Sequence, residues 1–292
     1  MIGANRSVQP VGSWLRGFRA AVALFLLAVA VASPVVRAHG DLQEQRETAS
    51  ARIKADPGNA ELYFRRAELY RQHEEWPAAI ADYDQVERLA PGNDAVHLGR
   101  AKLLQAMGRY QAALGELNRF LDAQPDNVDA LVTRARVRER MGQHALAAED
   151  FARAIERAAS PEPEFYLERA QALAAANPGH PQAALACLDE GIAKLGPLPT
   201  LGLAAIDLEV GQGDFAAALA RLERLSAGAQ RQEGWLERRG DILVKADRAQ
   251  SALLAYRDAQ AAISRLPTRL QGTQAMQEMQ ARLKQKIASA GR

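Results

Sequence analysis

Tyr63-Phe64-Arg65-Arg66-Ala67, His97-Leu98-Gly99-Arg100-Ala101 and Leu131-Val132-Thr133-Arg134-Ala135 are three versions of one short string, each 34 residues after the last. Other positions keep the same interval: Ala79, Ala113 and Ala147; Tyr83, Leu117 and Phe151; Pro91 and Pro125. An interval of this length, kept at several positions at once, marks a repeated supersecondary unit. Small residues such as Ala67 and Ala79 let two backbones approach, and aromatic or leucine side chains fill the remaining space. Pro91 and Pro125 cannot continue a helix and fall where one unit passes to the next. Gly108, Gly142 and Gly213 fall at the turns inside units, where a helix stop takes a positive φ.

Composition points the same way. Sixty of the 292 residues are alanine and only 5% are aromatic. Alanine is the best helix former and a poor strand residue, which disfavours an all-β sandwich. One cysteine excludes an intramolecular disulfide framework and any zinc site built from several thiolates.

The repeat resembles the tetratricopeptide repeat (TPR). The residues that carry the resemblance are Tyr63, Ala67, Tyr70, Ala79, Tyr83 and Pro91 in the first unit, and His97, Ala101, Leu104, Ala113, Leu117 and Pro125 in the second. The third supplies Leu131, Ala135, Ala147 and Phe151, with Arg138 at the aromatic position. A fourth unit reads Tyr166, Ala170, Leu173, Ala184 and Leu188, and a degenerate fifth Leu201, Ala205, Leu208, Ala218 and Leu222. A sixth reads Leu236, Gly240, Leu243, Ala252 and Tyr256. The resemblance implies an all-α, right-handed α-solenoid of about six helix-turn-helix pairs. A lone pair cannot bury its apolar face, so stability must come from stacking neighbours.

The expected organisation has four parts. Residues 1–38 contain Arg6, Arg16, Arg19 and Arg37, no acid, and an apolar run from Ala20 to Ala32, ending in Val36-Arg37-Ala38. This is the pattern of a cleaved secretory signal, with a mature start at His39 and a periplasmic address; a cut after Ala32 is the alternative. A kept membrane anchor is the competing expectation, although Ala20 to Val36 as a helix reaches only about 25 Å. Residues 39–59 are expected to hold an N-terminal capping helix, 60–267 the repeat array, and 268–292 a C-terminal capping helix and tail. Without the signal the basic count falls from 37 to 33 against 35 acids, and the formal charge from +2 to −2. Nucleic-acid binding then has no support, and no membrane insertion is expected after cleavage.

A second regularity concerns charge. Arginine precedes the small residue at Arg66, Arg100, Arg134, Arg169 and Arg239, and Asp82, Glu116 and Asp150 stand 16 residues after the first three. In a helix pair these positions face each other, predicting the ion pairs Arg66–Asp82, Arg100–Glu116 and Arg134–Asp150. In the fourth unit the aligned position is Cys187. It is either a small apolar filler or, beside Arg169, a thiol with a lowered pKa.

No catalytic motif is present: no phosphate loop ending in Gly-Lys-Ser or Thr, no Gly-x-Ser-x-Gly, no His-Glu-x-x-His. The five histidines have no metal-ligand spacing, and no cofactor is expected. The resemblance implies a non-catalytic scaffold that binds a peptide or protein segment in a concave groove lined by the first helices. Carried over, that lining comprises Glu61, Phe64, Glu68, Arg71, Leu98, Lys102 and Gln105, then Asp129, Val132, Arg136, Glu139, Leu167 and Gln171. The Lys and Asn set with which some members clamp a C-terminal carboxylate is missing, since Phe64 and Glu68 stand at two of its places. Phe64, Leu98, Val132 and Leu167 recur at one position, forming either an apolar stripe along the groove or the edge of the core. The competing function is copper binding by the mature N-terminal His39, through its α-amine and ring nitrogen.

Overall fold

The computed structural model describes residues 34–290, with side chains from residue 43 onward. Residues 1–33 of the expected export signal and the His39 side chain therefore lie outside the described residues. Every regular element among the described residues is an α-helix, fifteen in all.

The first compact unit, residues 1–99, contains α1 (Pro34–Ala55), α2 (Ala60–Gln72), α3 (Trp76–Leu89) and the beginning of α4 (Ala95–Ala106). Helix α1 begins at Pro34, ahead of the 39–59 segment expected to hold the capping helix, and ends at Ala55, ahead of Pro57. Asn59 then starts α2, its side chain accepting the Glu61 backbone N–H at 3.2 Å. Ala67 on α2 and Ala79 on α3 have no exposed surface, and Tyr83 and Val86 are equally buried beside them. Gly99 leaves room for the Tyr83 ring, since a Cβ there would stand 2.8 Å from it.

The second unit, residues 100–292, continues through α4 and adds α5 (Tyr110–Ala123), α6 (Val128–Arg140), α7 (His144–Arg157), α8 (Pro163–Ala176) and α9 (Gln182–Leu195). It goes on with α10 (Pro199–Gly211), α11 (Phe215–Ser226), α12 (Glu233–Lys245), α13 (Ala249–Ser264), α14 (Thr268–Gln271) and α15 (Gln274–Ala290). Ala101 with Ala113, Ala135 with Ala147, Ala170 with Ala184, Ala205 with Ala218, and Gly240 with Ala252 are the buried small residues of the successive pairs. Phe151, Leu188, Leu222 and Tyr256 fill the space beside them. The helix-pair arrangement is that of an all-α solenoid, six pairs from α2/α3 to α12/α13.

The turns inside five of the six pairs share one geometry, the longer Asn177–Pro181 turn of the fourth pair being the exception. Gly108, Gly142 and Gly213 have φ of 72°, 72° and 79°. In the first and sixth pairs Glu74 and Asp247 take the same place, with φ of 61° and 56°. The C-terminal segment differs from the single capping helix expected within 268–292. Helix α14 stops after one turn at Gly272, and a second helix restarts at Gln274. Glycine weakens the helix there, and the Gly272 and Thr273 N–H groups bond back to the Thr268 and Leu270 carbonyls. Met279 and Leu283 of α15 are buried against Leu243, Ala255, Tyr256, Ala259 and Ile263.

Candidate functional site

The charged residues behind the small alanines meet inside the helix pairs. Arg66 grips Asp82 with two hydrogen bonds of 2.7 Å, and a third donor reaches Ser50 Oγ on α1 at 3.1 Å. The guanidinium also lies 5.7 Å from both the Tyr63 and Tyr70 ring centres. The Asp82 hydrogen bond holds the Arg66 pKa above its ordinary value, against the cost of burial. Arg134 grips Asp150 in the same fork at 2.8 and 2.7 Å, and Arg138 adds a bond of 2.7 Å to Asp150 Oδ2. Arg138 is the residue that replaces the family's aromatic; burial lowers its pKa, with Asp150 opposing. Arg100 and Glu116 occupy the same positions on α4 and α5, and Glu116 also stands 3.7 Å from Arg119.

In the fourth pair, Cys187 is 3% exposed and its Sγ faces the Tyr166 carbonyl at 3.6 Å. Burial pushes the thiol up to about 11, outweighing the pull of Arg169. Arg169 turns instead to Glu190, at 3.5 Å. The fifth pair has an ion pair that the recurrence could not reveal, because its polarity is reversed. The base is Arg221 on the second helix, which donates to Glu209 on the first at 2.9 and 2.7 Å and to Asp189 on α9 at 2.5 Å. Burial works against the Arg221 charge, and these carboxylates overcome it, holding its pKa above the ordinary value.

The residues that the family resemblance places in the groove fall into two environments. In the first unit, Phe64 packs on the Tyr83 ring, centroids 6.0 Å apart. Glu68 accepts from the Tyr83 hydroxyl and pairs with Arg71 at 2.8 Å, while Glu61 pairs with Arg65 at 2.8 Å. Burial, reinforced by Glu68, raises the Tyr83 pKa. Glu61, Phe64 and Glu68 border a cleft of about 590 Å³ between α1 and α2, with Leu62, Leu69 and Ala49 as apolar wall. Leu98 is half-buried.

In the second unit the same face carries ion pairs that join successive first helices. Lys102 on α4 pairs with Asp129 on α6, Arg136 on α6 forks to Glu168 on α8 at 2.8 Å twice, and Arg238 on α12 pairs with Asp207 on α10. Lys286 on α15 continues the series, bonding Glu237 at 2.9 Å and Asp241 at 2.6 Å on α12. Glu139 contacts His144 at 3.0 Å. Gln105, Arg136, Glu139 and Gln171 border a polar cleft of about 670 Å³ with Tyr110 and Arg140. The apolar stripe divides: Val132 is 5% exposed and belongs to the core, while Phe64, Leu98 and Leu167 are half-buried. Among the described residues no group of three or more His, Cys, Asp or Glu could hold a metal ion, and no helix is long and apolar enough to cross a membrane.

Residues 98–163 match the family model of the tetratricopeptide repeat. No curated protein matches the chain in sequence. The C-terminal part of a TPR repeat-containing protein from Cytophaga hutchinsonii has the same fold, with a TM-score of 0.62 at 15% identity, covering 81% of this chain and 96% of that one. A tetratricopeptide repeat protein from Parabacteroides merdae gives a TM-score of 0.51 at 18% identity, covering 87% and 94%. The family's small residues are buried in every helix pair and residues 98–163 match its model, so the chain carries tetratricopeptide repeats and shares the fold of these two proteins.

Proposed function

We propose that this chain is a non-catalytic scaffold that takes a peptide or protein segment along its first-helix face, in the periplasm, after export on residues 1–38. The observation that carries the proposal is the series of lateral ion pairs between first helices of the second unit, flanked there by open clefts. These pairs are partly exposed, so each contributes only about 0–1 kcal/mol and a ligand group can exchange with either partner at small cost. A bound segment would be oriented by such exchanges and held by burial of apolar side chains in the clefts. The basic and apolar pattern of residues 1–38 supports the address.

The test is mass spectrometry of the mature protein captured gently with whatever co-purifies. The expected result is a chain starting at His39 with a protein partner in fixed stoichiometry. A chain retaining residues 1–38 in the membrane fraction overturns the address. Copper on a His39 start, with no protein partner, overturns the scaffold in favour of a metal site.

A further inference from the structure

A cleft of about 530 Å³ opens on the first-helix face of the second unit, between α10 and α12. Its walls are Leu203 and Trp235, both half-buried and both packed on the buried cluster of Ile206, Ala218, Leu222 and Ile242. The volume lies in the range of small-ligand pockets. Two ion pairs stand at its rim. Asp207 pairs with Arg238 across the two helices, and Arg231 donates at 2.6 Å to Glu233, which is 3% exposed. Every charge at the rim is thus matched within the protein. A charged ligand group would gain only by breaking one of these pairs, whereas an apolar side chain gains by leaving water.

The remaining lining residue is Gly234, inside the first turn of α12. Four helix glycines have packing reasons: a Cβ on Gly99, Gly191, Gly202 or Gly240 would run into Tyr83, Tyr166, Leu225 or Tyr256, whereas one on Gly115, Gly211 or Gly234 would not. A Cβ on Gly234 meets nothing within 4 Å, and its φ is not positive. Of these three, Gly234 lines the cleft, and its missing side chain leaves the mouth of the slot open.

We propose that the α10–α12 slot is an anchor pocket for one bulky, uncharged apolar side chain of a partner peptide, with Gly234 keeping its mouth clear. The proposal rests on the scaffold reading and names the chemistry that the scaffold selects. An acidic or basic anchor could only exchange with a rim pair, without net gain, whereas the Leu203 and Trp235 walls favour a phenylalanine or leucine side chain.

The test uses the full chain labelled with 5-fluorotryptophan, the Trp235 resonance being assigned by its loss in Trp235→Phe. Blocked pentapeptides, acetyl-Gly-Gly-X-Gly-Gly-amide with X as Phe, Leu, Ser or Glu, are titrated in. The Phe and Leu peptides are expected to move the Trp235 signal at roughly tenfold lower concentration than Ser or Glu. Gly234→Leu, which fills the open space, is expected to abolish the response while the circular dichroism and melting temperature hold or rise. If Gly234→Leu does not fold, Gly234→Ala is read instead, with a weakened response expected.

Equal response to all four peptides, or a preference for Glu, overturns the pocket. So does an unchanged response in the folded Gly234 variants. A partner captured in fixed stoichiometry with no Trp235 response to any peptide overturns the pocket and leaves the scaffold standing. Absence of any captured partner from the unmodified chain, with the peptides still bound at the slot, overturns the scaffold alone. Self-association that Gly234→Leu abolishes assigns the slot to a second copy and overturns the peptide anchor.

Discussion

The third and fifth helix pairs, α6/α7 and α10/α11, solve one packing problem with opposite charge order. In the third the base is on the first helix and the acid on the second. Asp150 uses both oxygens, receiving the Arg134 fork and a further bond from Arg138. In the fifth the acid comes first: both Arg221 donors share Glu209 Oε1, and the buried Oε2 has no partner. Arg221 holds a second acid, Asp189, from the preceding pair. The packing of a helix pair therefore calls for a compensated charge between its helices and does not dictate which helix supplies which sign. The third pair concentrates that compensation in one carboxylate; the fifth spreads it over two.

The largest expected effect tests this difference. Asp150→Ala leaves two largely buried guanidiniums without their acid and should cost about 3–5 kcal/mol. Glu209→Ala should cost less, because Asp189 still neutralises Arg221. Chemical denaturation of both variants checks the ranking, and equal losses would erase the contrast. Next comes a transplant between the two pairs. Where the third pair has Val132, the fifth has Gly202, whose missing Cβ is replaced by the Leu225 side chain. Gly202→Val should lose about 1–3 kcal/mol through overpacking. Leu225→Ala in the same chain should recover part of the loss, and a simple sum of the two penalties would contradict the packing account.

A smaller effect concerns the turn. Both compared pairs turn on glycine, whereas the first turns on Glu74 at a φ of 61°. A left-handed non-glycine residue costs about 1–2 kcal/mol, and glycine's extra chain entropy takes back about 0.5–1 kcal/mol. Glu74→Gly should therefore raise stability by about 0–1.5 kcal/mol, seen as a higher melting temperature; a lower one would show that Glu74 makes a compensating contact.

The fourth pair, lying between the two, gives the clearest effect of pH. With its pKa near 11 instead of the ordinary value near 9, Cys187 should be alkylated about a hundredfold more slowly than a free thiol at pH 8. The rate should keep rising beyond pH 9 without levelling. The unfolded chain loses its thiol proton first, so this group's contribution to stability is complete below pH 9 and falls away as the pH rises toward 11. A rate plateau near pH 7 would mean that Arg169 wins over burial.

Much of the fold was legible in the residues, for a reason that lies in the repeat. Ala67, Ala101 and Ala135 recur because each must sit where two backbones approach, and one position seen three times is hard to mistake. The Arg–carboxylate spacing of 16 was readable for the same reason. The reversed pair Glu209–Arg221 was not, since it occurs once and at a spacing of 12. The break at Gly272 was also missed: a single glycine in a helical pattern is often tolerated, and only the bonds back to Thr268 and Leu270 mark a stop.

The candidate site was less legible than the fold. Lys102, Asp129 and Arg136 were placed on the binding face by the family pattern, and nothing in their local sequence shows that Asp129 lies 27 residues from its partner or Glu168 32 from Arg136. Val132 and Leu167 share a repeat position, yet one is core and the other half-exposed. The sequence by itself determined the helix pairs, their number and their order, because backbone approach admits only small residues at regularly spaced places. Tertiary structure alone decided which charges are spent between neighbouring helices and which clefts stay open. Those outcomes depend on side chains from different units meeting in space, and no interval along the chain records that meeting.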